Sequence, residues 1–106
     1  MNSEQAYEQI ARAMLTTAKG ARWTTLVLEA NVYDHLVSGR FVMWNNDEVD
    51  ESRYVPSPSS RNVLEAALFL RDELLATSGE RITGFTFTLQ LNGKFNIDYR
   101  YGELKT

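Results

Sequence analysis

A chain of 106 residues is the length of a single domain, and with 43% apolar residues it can close a core without disulfide or metal staples. No apolar run approaches the ~18 residues that cross a membrane, and the polar start MNSEQAYEQ is unlike a signal peptide. The lack of cysteine excludes disulfides, thiolate metal sites and a cysteine nucleophile, so the expectation is a cytoplasmic protein. A net charge of −3, with eleven Lys and Arg of which no two are adjacent, disfavours direct nucleic-acid binding and is compatible with a basic protein partner.

Residues Ser3 to Ala18 read as a helix, because Tyr7, Ile10, Met14 and Ala18 recur at spacings of three and four. Asn2 or Ser3 can cap it, Gln5 completes a capping box with Asn2, and Gly20 ends it after Lys19. From Trp23 to Tyr33 the period changes to two, with Leu26, Leu28, Ala30 and Val32 on one face of a strand and Thr25, Val27, Glu29 and Asn31 on the other. Asp34 to Gly39 reads as a turn region with its tight point at Ser38-Gly39, followed by a second strand from Arg40 to Asn45.

Asn46 to Ser60 is polar, holds both prolines and reads as a surface loop, with room for a short strand around Arg53 to Val55. A second helix is expected from Pro58 to Ser78, capped by Ser57 and closed by Gly79. Its broad apolar arc (Val63, Ala66, Ala67, Leu70 and Leu74, widened by Leu64, Leu68 and Leu75) suits a helix laid on a sheet beside another helix.

Ile82 to Tyr101 reads as a hairpin, and its register can be argued from face matching. A two-residue loop at Asn92-Gly93 would set Phe87 beside Asp98. A three-residue loop, Leu91-Asn92-Gly93, sets Leu89 beside Phe95, Phe87 beside Ile97 and Phe85 beside Tyr99, with Gly93 in the left-handed position. The second is expected, because a slip by one residue exposes the whole apolar set, and it places Phe95, Ile97 and Tyr99 in the core. The expected architecture is an α+β two-layer sandwich of order α-β-β-α-β-β: a single domain over residues 1–106 with a four-stranded antiparallel sheet and two helices on one face.

Candidate chemistry is sparse. His35, the only histidine, follows Asp34, which would allow a carboxylate-oriented base, but the plainer reading is a solvated loop histidine. Asp47, Glu48, Asp50 and Glu51 form the densest acidic run. It lacks the ligand spacing of a calcium loop, and it reads either as a docking patch for a basic partner or as a solvated, charged loop. Trp23, Trp44, Tyr54 and Phe69 do not all fit inside; such residues anchor interfaces, although single exposed aromatics are common. No phosphate loop, nucleotide fingerprint, metal-ligand spacing or paired catalytic carboxylates are present in the sequence, and neither an enzyme nor a cofactor is expected.

The run GFTFTLQLNGKFNIDYRY resembles the closing signature of the YezG-like antitoxin/immunity family: a threonine-rich strand (Phe85 to Leu91), a turn into Gly93-Lys94-Phe95, and an Ile97-Asp98-Tyr99-Arg100-Tyr101 strand. Upstream the likeness is looser, through the first helix, the strand from Trp23 that carries Val27 and Leu28, and a long helix with Arg71, Asp72, Glu73 and Leu74. Ile82-Thr83-Gly84 stands where the family often has a tryptophan.

The resemblance implies a cytoplasmic immunity protein that neutralises a cognate toxin, often a nuclease domain, by non-catalytic binding. The expected contact residues are Asp47, Glu48, Asp50, Glu51, Trp44, Tyr54 and Phe69. A homodimer is left open, and the alternative is a small self-associating adaptor or secretion chaperone.

Overall fold

The first helix starts where its capping residues place it. In a computed structural model describing residues 1–33, 37–51, 53–55 and 59–102, α1 spans Ser3–Thr17, the Asn2 side chain accepts from the Gln5 amide at 2.8 Å, and the Gln5 side chain accepts from the Asn2 amide at 3.0 Å. Gly20 follows at φ 84°, a left-handed position that glycine takes without a Cβ penalty. The other elements are β1 (Thr25–Val32), β2 (Val37–Asn45), β3 (Glu48–Asp50), α2 (Ser59–Ser78), β4 (Ile82–Gln90) and β5 (Phe95–Tyr101). No described helix is long and apolar enough to cross a membrane.

The expected α+β class holds, with a correction to the sheet: it has five antiparallel strands, not four, in the order β3-β2-β1-β4-β5. The fifth strand is not at Arg53 to Val55 but at Glu48–Asp50, where β3 folds back on β2 and pairs Asn45 with Glu48 and Trp44 with Val49. Its two-residue loop is Asn46-Asp47, and Asn46 takes φ 57°, the positive value that tight hairpin turns demand and asparagine tolerates. A strand rich in acid carries no apolar alternation of its own, so it reads as loop.

A second correction concerns Ser38-Gly39, which is strand rather than turn. Ser38 pairs with Asn31 and Gly39 with Ala30. A Cβ on Gly39 would stand 2.7 Å from the Glu29 carbonyl oxygen, so the glycine serves the close approach of β2 to β1. The turn placed at Asp34 to Gly39, His35 with it, and the cap at Ser57-Pro58 otherwise fall outside the described residues.

The β4–β5 hairpin has the three-residue loop: Leu89 pairs with Phe95, Phe87 with Ile97 and Phe85 with Tyr99, and Gly93 has φ 87°. The Gln90 amide donates to the Lys94 carbonyl at 2.8 Å and the Gly93 amide to the Gln90 carbonyl at 2.9 Å, which closes the bulged turn.

Both helices contribute to one apolar cluster with a single face of the sheet. Ile10 and Met14 of α1, Val63 and Leu70 of α2, and Leu26, Phe85 and Phe87 of the sheet are all buried in it. The helices cover β5 only in part, however, through Tyr7 of α1. Phe95 is 49% exposed, and Ile97 and Tyr99 are only partly buried, so these three flank the core rather than fill it. They are held from one side: Phe95 stacks on Phe87 at 5.2 Å between ring centres, and the Tyr7 and Tyr99 hydroxyls lie 3.0 Å apart.

Candidate functional site

The uncovered face of the sheet is set by register. Strand pairing lines up Val49, Trp44, Thr25 and Gln90 in one row, Val42, Val27 and Thr88 in the next, and Arg40, Glu29 and Thr86 in a third. The face is therefore polar over β4 and β1 and apolar at the β2–β3 corner. There Val42 is buried although it stands outside the main core, covered by its neighbours on the open face.

Trp44 is 38% exposed and Val49, directly opposite it, 49% exposed. The acidic run lies on both faces of the hairpin that carries this pair. Asp47 lies in the turn; Glu48 and Asp50 flank Val49 and alternate to the other side of the short strand; Glu51 follows and pairs with Arg40 on β2. All four carboxylates are exposed. On its open face the hairpin thus carries an exposed apolar pair of the kind that anchors protein contacts, while Glu48 and Asp50 stand on the reverse face beside Asn45 and Met43.

Glu51 also lines a recess of about 410 Å³ with Arg40, Arg53 and Tyr54, its apolar wall formed by Leu28, Phe41 and other inward residues. Tyr54 is 88% exposed at its mouth. The Arg53 guanidinium is turned the other way: it donates to the Thr17 carbonyl at 3.0 Å and the Lys19 carbonyl at 2.9 Å, capping the end of α1 and holding Arg53 against it.

Of the expected contact residues, the structure gathers Trp44, Asp47, Glu48, Asp50 and Glu51 on one hairpin and sets Tyr54 close to Glu51. Phe69 does not join them; it lies on α2, partly buried against the core. Val49, Val42 and Arg40 belong to the patch and were not expected. The signal for Val49 is the symmetry of Trp44 and Val49 about Asn46-Asp47, which a two-residue turn makes cross-strand neighbours.

Among the described residues no group of three or more His, Asp or Glu side chains could hold a metal ion. The Tyr99 phenol is raised above its ordinary value by burial and then by its hydrogen bond with Tyr7. Compared with models of known families and with curated proteins, the chain matches none.

Proposed function

We propose that this protein is an immunity protein, acting in the cytoplasm, that neutralises a cognate toxin, a nuclease domain being the favoured class, by binding rather than by catalysis. The observation that carries the reading is the exposed Trp44–Val49 pair on the open face of the acidic β2–β3 hairpin. The likeness of β4 and β5 to the YezG-like signature agrees with it.

A nuclease groove is lined with basic groups for phosphate, and a hairpin of four carboxylates offers the complementary charge. Long-range attraction then raises the rate of encounter, while burial of Trp44 and Val49 slows dissociation. Inhibition needs no chemistry from the bound protein, only occlusion of the toxin's substrate groove.

The test is co-expression with the protein encoded beside its gene. Rescue of growth and recovery of a stoichiometric complex are expected, and the absence of both ends the proposal. In the complex, replacing Asp47, Glu48, Asp50 and Glu51 by Lys slows association most at low salt. Trp44→Ala raises the dissociation rate by about tenfold or more, as loss of an anchoring aromatic does. Unchanged rates in both variants would move the contact surface elsewhere.

A further inference from the structure

The two edges of the sheet are built differently. β3 is three residues long and presents Glu48 and Asp50, the short, charged form that discourages strand addition. β5 is seven residues long, has no proline and ends the sheet on the other side. Because the Gln90 amide bonds the Lys94 carbonyl, alternation directs the backbone groups of Asn96 and Asp98 to β4 and those of Phe95, Ile97 and Tyr99 to the free edge. The same residues carry the half-covered apolar side chains of the helix-bearing face.

We propose that β5 pairs with β5 of a second copy of this chain, antiparallel about a two-fold axis at Asn96, joining the two sheets into one. The charges on the strand select both the occupant and the register. With the axis at Ile97, Lys94 faces Arg100. With the axis at Asp98, two aspartates face each other. Both arrangements oppose like charges across close pairs.

An axis at Asn96 sets Lys94 against Asp98 of the second copy, twice by symmetry. An axis at Tyr99 would set Asp98 against Arg100, but the Arg100 guanidinium is committed inboard, donating to the Ala30 carbonyl at 2.7 Å and the Thr86 hydroxyl at 3.1 Å. The Lys94 ammonium has no such partner among the described residues and stands exposed. The Asn96 axis also sets Phe95 beside Ile97 of the second copy on the helix-bearing face, covering the aromatic that α1 leaves half exposed. The β2–β3 hairpin lies at the far edge of each sheet, so dimer formation leaves both acidic hairpins open.

An interface of one strand pair is small, and a concentration-dependent dimer is expected rather than a permanent one. Sedimentation of the full chain from micromolar to millimolar concentration should show monomer passing to dimer, and a monomer throughout overturns the proposal. Hydrogen exchange at the two ends of that range should show the Phe95 and Ile97 amides gaining protection with concentration, while those of Asn96 and Asp98 are protected at both. Protection gained only at Tyr99 and Tyr101, or only away from β5, overturns it. Lys94→Glu should weaken dimerisation by about tenfold, and Lys94→Glu with Asp98→Lys should restore it. Failure of the double variant to recover, with both variants folded by circular dichroism, overturns the register and the proposal with it.

Discussion

The Arg100 guanidinium lies across the bare backbone of Gly84 and donates to the Ala30 carbonyl on β1, two strands away from its own, at 2.7 Å. It reaches that far only because β4 offers no side chain at this point. A Cβ on Gly84 would collide with both the Ala30 carbonyl oxygen and the Arg100 guanidinium. Gly84→Ala should therefore destabilise the fold by about 2 kcal/mol, the cost of overpacking against backbone. Arg100→Ala should cost about 1 kcal/mol through lost hydrogen bonds alone. Urea denaturation of each variant measures both, and a neutral Gly84→Ala would show that the crossing contributes nothing.

Asn46 takes the positive φ on which the β2–β3 hairpin turns. Asn46→Gly should be neutral or slightly stabilising. Asn46→Val should cost about 1 kcal/mol, because a β-branched residue resists the left-handed region. Thermal melts of the two variants should therefore separate by several degrees, in that order.

Arg53 bonds two carbonyls at the end of α1. Arg53→Ala should lower stability by about 1–2 kcal/mol, since the charged donor and its interaction with the helix terminus are lost together. Hydrogen exchange should show the last turn of α1 and the segment after β3 opening more readily. An effect on α2 alone would contradict this role.

The Tyr99 phenol is raised above its ordinary value of 10.0 by burial first and by the Tyr7 hydroxyl second. The folded state therefore holds this proton more tightly than the unfolded chain does. The stability it contributes is complete below about pH 10 and is lost as pH rises beyond that value. Melting temperature should fall above pH 10, and Tyr99→Phe should make the fall shallower. An identical slope in the variant would remove Tyr99 from the account, whatever the change in absolute stability.

Where local chemistry alone decides an outcome, the residues announce it. Asn2 and Gln5 cap α1 because they are three apart, and Gly93 closes the last turn because only one loop length puts Phe87 beside Ile97. The paired faces of β1 follow from its alternation, and Leu26, Leu28, Ala30 and Val32 are all buried. Ser38-Gly39 misleads for a reason: glycine marks tight turns and close strand approaches alike, and only the neighbouring Glu29 carbonyl distinguishes them. Glu48–Asp50 misleads because it is paired along one edge only and solvated on both faces, so no hydrophobic period betrays it.

The sequence by itself determined the α+β class, the ends of α1, the close of α2 at Gly79 and the register of the β4–β5 hairpin, since capping, periodicity and turn geometry act over a few residues. Tertiary structure alone decided how far the two helices cover the sheet. α2 packs over β1, β2 and β4, and α1 reaches β5 through Tyr7, which leaves Phe95 and Ile97 only partly covered. It also decided that Trp44 meets Val49 within the acidic hairpin while Phe69 turns to the core, because strand pairing and helix rotation are set by contacts between segments distant along the chain.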